Sequence, residues 1–114
     1  MAFTDIDLQK VKNKVGVFCS ERTPEHLKGQ LRFEYEIEKN NVIIYEVRPV
    51  WKNPSEFTKM PMAKLAYVKS QNIWKLYWKR ANEKWVIYEP KGSAKDLGIL
   101  VKEIDKDSFG CFFG

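Results

Sequence analysis

AKLAYVKSQNIWKLYWKRANEKWVIYEP, residues 63–90, holds three of the chain's four tryptophans and alternates apolar with polar side chains on both sides of a short break. Trp74, Leu76 and Trp78 share one parity; Ile73, Lys75, Tyr77 and Lys79 share the other. A period of two in β-branched and aromatic residues marks a pleated strand with one buried face. With Ala81-Asn82 as a two-residue hairpin loop, Trp78 faces Trp85 and Leu76 faces Ile87. Asn accepts the positive φ that such loops require. A slip of one residue would send the tryptophans to opposite faces, so the pattern predicts its own pairing. Upstream, Leu65 and Tyr67 precede a break at Ser70-Gln71-Asn72, which predicts another antiparallel strand. A two-residue loop sets Leu65 and Tyr67 against Leu76 and Trp74, a three-residue loop selects Ala66 and Val68, and the pattern accepts both.

Residues 30–38 alternate most regularly. Leu31, Phe33, Tyr35 and Ile37 face one way, and Arg32, Glu34, Glu36 and Glu38 the other. Ile43, Tyr45 and Val47 repeat the pattern after a turn. A three-residue loop of Lys39, Asn40 and Asn41, with Asn41 left-handed, matches Ile37 to Ile43, Tyr35 to Tyr45 and Phe33 to Val47. A two-residue Asn-Asn loop would set Tyr35 against Glu46 and Phe33 against Arg48, which disfavours it. The predicted strands are thus about 30–38, 42–48, 63–69, 73–80 and 83–89.

Residues 5–20 read as a helix capped by Thr4 or Asp5, with Leu8, Val11, Val15 and Phe18 in a stripe beside Cys19. Thr23-Pro24-Glu25-His26 starts a short second helix that Gly29 stops. Pro49, Pro54 and Pro61 punctuate a connection over 49–62, expected as loop or edge, with Trp51 and Phe57 pinning it to the body. Ser93 caps a helix over 94–106 with the stripe Leu97, Leu100, Val101 and Ile104. The apolar tail 108–114 is expected to dock Phe109, Phe112 and Phe113 on the core, a partner groove being the alternative. The order predicts an α+β fold: an antiparallel five-stranded meander with the N-terminal and C-terminal helices packed on one face. With 114 residues, a single domain spanning 1–114 is expected.

The run AYVKSQNIWKLYWKRANEKWVIYEP, the earlier VRPVWKNPSE and the closing DSFGCFFG together resemble the bacterial family of domain of unknown function 3024. The resemblance extends from about residue 30 onward and implies a small bacterial, cytoplasmic protein that is complete as it stands. It carries no activity, ligand or catalytic residue onto this chain.

The residues themselves bound the chemistry. No apolar run approaches a membrane span, and MAFTDIDLQK lacks a charged segment leading into an apolar one, so a soluble cytoplasmic protein with reduced thiols and no membrane partner is expected. Cys19, His26 and Cys111 show no metal-ligand spacing, and Cys19 reads as core with His26 in a surface turn. No nucleotide or cofactor motif is present, so no cofactor is expected. Glu34, Glu36 and Glu46, with Arg48 near, are the raw material of a metal-dependent nuclease, but no D/E-x-K triplet accompanies them. A solvated strand face with cross-strand ion pairs explains them as well. Residues 48–80 hold eight Lys or Arg and one acid, a segment charge of +7 against +5 for the whole chain, together with six aromatics. Cations among exposed rings suit single-stranded nucleic acid, which predicts a surface of Lys69, Lys75, Tyr77, Lys79, Arg80 and Lys84. Lysine on a strand also serves simply to solvate a face or protect an edge. The leading expectation is a non-enzymatic protein-interaction or accessory module, with partner contacts at Trp51, Phe57, Phe109, Phe112 and Phe113. Nucleic-acid binding is the alternative and a nuclease the third reading. Neither partner identity nor oligomeric state is legible in these residues.

Overall fold

The computed structural model describes residues 3–23, 31–80, 82–107 and 110–112. The predicted second helix near Thr23–Gly29, with His26, falls outside them apart from Thr23, as do Ala81, Phe109 and Phe113. The fold is α+β: an open antiparallel sheet with helices at both ends of the chain. Among the described residues the helices α1 (Asp5–Val11) and α2 (Val17–Glu21) are joined by a π-helical turn, Lys12–Gly16, with helical dihedrals at both junctions, so they form one rod. The sheet comprises β1 (Arg32–Glu38), β2 (Asn41–Val50), β3 (Asn53–Val68), β4 (Ile73–Lys79), β5 (Trp85–Ile87) and β6 (Ser93–Ala94), followed by α3 (Leu97–Lys106). Strands β1 to β5 follow one another in meander order, and β6 also pairs with β4. No described helix is long and apolar enough to cross a membrane.

The rod begins where the sequence places it. Thr4 and Asp7 form a capping box: the Asp7 N–H donates to Thr4 Oγ1 (3.2 Å) and the Thr4 N–H to Asp7 Oδ2 (3.1 Å). Its stripe buries Val11, Val15, Phe18 and Cys19 against one sheet face. That face consists of Phe33, Val42, Ile44, Ala63, Leu65, Trp74 and Leu76, and α3 adds Leu97, Leu100, Val101 and Ile104 to the same core. Both helices therefore cover one side of the sheet, which leaves the other without a described helix.

Three hairpin registers settle what each face carries. Leu65 pairs with Leu76 and Tyr67 with Trp74, the first of the two registers the alternation allowed. The turn of residues 69–72 closes with Asn72 left-handed (φ 54°), and its Oδ1 accepts the Tyr67 hydroxyl at 2.8 Å. The other two registers differ from expectation by one residue. In the β1–β2 hairpin the loop is Lys39-Asn40 with Lys39 at φ 58°, so Ile37 pairs with Val42, Tyr35 with Ile44 and Phe33 with Glu46. The cause lies in β2, where Val42, Ile43 and Ile44 are all buried. A strand apolar on both faces does not select a register by its pattern. In the β4–β5 hairpin Glu83 is left-handed (φ 65°), Arg80 N–H donates to Lys84 O (3.0 Å), and Trp78 pairs with Val86 and Lys79 with Trp85. The extra loop residue moves Trp85 to the face opposite Trp78.

Two element boundaries also shift. Ser93-Ala94 forms β6, paired with Trp74 and Lys75, instead of capping a helix, and Asp96 caps α3 by accepting the Gly98 N–H at 2.9 Å. The predicted connection 49–62 is not a loop pinned to the body. It is an extension of the β2–β3 hairpin, in which Arg48 pairs with Thr58 and Pro49 with Phe57. β4 pairs β3 only along Ala63–Val68, and β1 pairs β2 only as far as Val47, so the end of this hairpin projects with both flanks unpaired among the described residues. Proline is tolerated on such edges and beside bulges, and Pro61 adjoins the register shift at Ile44/Tyr45.

Candidate functional site: an open sheet face and a projecting arm

The uncovered sheet face is graded in charge from one edge to the other. β1 presents Glu34, Glu36 and Glu38, directly across from Tyr45, Ile43 and Asn41 of β2. From β3, Lys59 Nζ donates to Glu36 Oε1 and lies 3.9 Å from Glu34 Oε1, and it also stands 4.8 Å from the centroid of the Tyr45 ring. The hydrogen bond from Lys59 holds the Glu36 carboxyl below its usual range, and the same bond raises the lysine. Glu34 and Glu36 are thereby answered within the sheet. Arg32 completes that edge, with Nε 2.6 Å from Glu34 Oε2 and the guanidinium 4.6 Å above the Phe57 ring.

Beyond Lys59 the face turns basic and aromatic. Lys75, Tyr77 and Lys79 of β4 lie half-buried on it as expected, and the register adds two residues the sequence reading missed. Lys64 pairs with Tyr77 and places its ammonium 4.8 Å from that ring's centroid and 5.3 Å from that of Trp85. Lys79 approaches the same Trp85 ring at 5.6 Å. Lys64 was legible in the alternation that made Leu65 and Tyr67 inward. Trp85 was hidden by the loop count. Among the described residues Lys64, Lys75 and Lys79 take no part in an ion pair. Arg80 and Lys84 close the β4–β5 loop at one end of this surface, whereas Lys69 lies in the turn at the other end of β4. The register thus lines up Lys75, Tyr77 and Lys79 on one face, whereas Arg80 and Lys84 fall at its loop end out of phase with them and Lys69 at the other end.

The acids proposed for metal-dependent chemistry do not converge. Glu34 and Glu36 point to the open face, while Glu46 stands opposite Phe33 on the other and pairs with Arg48. Among the described residues no three His, Cys, Asp or Glu side chains gather around a common point. Burial pushes the Cys19 thiol up to about 12, with the charge of Glu34 adding to the effect.

The partner-contact residues separate in the same way. Trp51, at the tip of the arm, is 87% exposed, with Phe57 at 43% and Met60 at 60% along its sides. Trp51 pins nothing, and only Phe57 reaches back to the body, through Arg32. Phe112 belongs elsewhere: it is buried in the core, 5.1 Å from the Tyr88 ring, and its N–H donates to Asp107 Oδ1 at 2.9 Å. In this conformation Phe112 is therefore not at the surface, whereas Met60 is, beside the unpaired flank of β3.

The chain belongs to the domain of unknown function family DUF3024, whose profile matches residues 3–114. The match reaches further toward the N-terminus than the motifs that first carried the resemblance. Neither a curated protein nor a solved structure matches the chain.

Proposed function

We propose that this protein is a non-catalytic interaction module that engages another protein through the β2–β3 arm. The observation that carries this reading is the exposure of Trp51 at the tip of a hairpin extension from which no described residue between 48 and 61 joins the core. A tryptophan left in water beside Phe57 and Met60 brings the fold no burial energy, and large aromatic side chains dominate the energetics of protein interfaces. The setting proposed is the bacterial cytoplasm, supported by two cysteines that remain unpaired. Replacing Trp51 by a photo-reactive phenylalanine analogue tests the reading in cells. Irradiation is expected to yield one adduct of defined mass, absent when the same analogue replaces Lys102 on α3. Equal labelling at both positions, or none at Trp51, contradicts it.

A second reading rests on the Lys64, Tyr77 and Trp85 cluster of the open face, which suits weak binding of single-stranded nucleic acid. Phosphate contacts predict an affinity that falls steeply with salt, and stacking on Tyr77 is worth roughly 1–3 kcal/mol. Titration of a labelled oligonucleotide at two salt concentrations is expected to show that fall. Tyr77→Ala should weaken binding, and reversing Lys75 and Lys79 to Glu should abolish it. Unchanged affinity in the charge-reversed variant removes this face as the site.

A further inference from the structure

The arm carries the one exposed sulfur side chain among the described residues. Cys19, Met60, Met62 and Cys111 are the sulfur-bearing residues described. Cys19 is buried in the core, and its thiol is pushed up to about 12 by burial and then by the charge of Glu34. Cys111 is half-buried and also raised, by burial first and Asp107 second. Both are protonated at neutral pH, whereas peroxides react with the thiolate. A thioether has no proton to lose, so access decides how fast it is oxidised.

The two methionines differ in access for a structural reason. They stand two residues apart on β3, yet Met62 is 7% exposed and Met60 60%. β4 joins β3 from Ala63 onward, and Met62, next to that junction, belongs to the core. Met60 lies on the arm side of the register shift at Ile44/Tyr45, across from Glu46, and no described strand covers its outer flank. Residues 51–53 and 55–60 are all exposed, so Met60 shares the solvent-facing surface of Trp51 and Phe57.

We infer that Met60 is a reversible oxidation site for hydrogen peroxide, and that its sulfoxide releases the arm from the protein it engages. A lone pair on Sδ attacks one peroxide oxygen and the O–O bond breaks. The departing hydroxide takes the proton of the transferred oxygen and leaves as water. Sulfur loses two electrons and the peroxide gains them. An apolar, adaptable side chain becomes a polar, chiral one, the change that disrupts methionine-bearing interfaces. The core does not register it, because Met60 lies outside. The effect on docking rests on the arm being the partner-binding element, and the selectivity of oxidation does not.

The purified full chain, treated with hydrogen peroxide at neutral pH, is followed by peptide mass spectrometry. Met60 is expected to gain one oxygen about tenfold faster than Met62, with Cys19 unmodified, and methionine sulfoxide reductase should remove it. The melting temperature should be unchanged by the oxidation. For docking, the chain with the photo-reactive analogue in place of Trp51 is oxidised or left reduced, freed of peroxide and irradiated in cell extract. Oxidation should lower the adduct about fivefold and the reductase should restore it, while a peroxide-treated Met60→Leu chain keeps it in full. Equal oxidation of Met60 and Met62 overturns the site. An undiminished adduct from the oxidised chain overturns the release and leaves the arm as the docking element. Equal loss in Met60→Leu also overturns it, since the oxidation would then act elsewhere. No adduct from the reduced chain contradicts the docking role of the arm itself, and the release falls with it.

Discussion

Cys19 is the residue whose environment most changes its chemistry. It sits in the helical stripe against the sheet, buried, and its thiol is pushed up to about 12 by desolvation first and by the charge of Glu34 second. At neutral pH it is a protonated thiol and a poor nucleophile. Cys111, half-buried near the C-terminus, is also raised by burial, with Asp107 adding. Iodoacetamide at neutral pH is therefore expected to label native Cys111 slowly and Cys19 not at all, with both modified in guanidinium. Peptide mass spectrometry distinguishes the two sites, and rapid native labelling of Cys19 contradicts its placement. The same scale shows where sequence reasoning was misled. Asn41 and Asn82 are the residues that tolerate left-handed backbone best, yet Lys39 and Glu83 adopt it. That strain costs about 1–2 kcal/mol per residue. The β1–β2 hairpin instead places Val42 and Ile44 in the core, each worth about 1.5–3 kcal/mol when fully buried. Packing outweighs turn preference, and a reading that starts from turn residues misplaces the register by one.

Elements were legible wherever one face is apolar and the other polar. The rod from Asp5, the strands β1 and β4, and the stripe of α3 follow from such patterns, and so does their assembly on one face of a meander. The arm was not legible, because Pro49, Pro54 and Pro61 argue against a strand in the middle of a sheet but not at an unpaired edge. Whether a segment will be an edge depends on how long its neighbours are, which no local pattern records. The start of the rod allows a quantitative check. Thr4→Ala removes the acceptor for the Asp7 N–H and breaks the capping box, so a loss of about 1 kcal/mol is expected, within the roughly 0.5–2 kcal/mol range of N-cap substitutions. Chemical denaturation should show a lower midpoint with an unchanged slope. Thr4→Ser, which keeps the oxygen, should recover most of the difference. No change in Thr4→Ala would mean that the first turn of α1 contributes little to global stability.

For the whole molecule, the core and the arm are energetically separate. The core joins both helices to the covered sheet face, and no described residue from 48 to 61 belongs to it. Phe112, by contrast, is one of its members and is 7% exposed. Replacing Pro49–Phe57 by Asn-Gly would close the hairpin at the Arg48–Thr58 pair with a turn suited to two-residue loops. This removes the Phe57 ring from beneath the Arg32 guanidinium, and exposed cation–π pairs contribute roughly 0.5–1 kcal/mol. The shortened protein is therefore expected to unfold cooperatively with a stability within about 1 kcal/mol of the full chain. Phe112→Ala should cost about 3–5 kcal/mol, the scale of a large core truncation. Urea unfolding of both variants measures the contrast. A shortened protein that fails to fold would make the arm part of the scaffold and remove the basis for assigning it to a partner. If it folds as expected but loses the Trp51-dependent adduct, the arm is dispensable for the fold and required for the interaction.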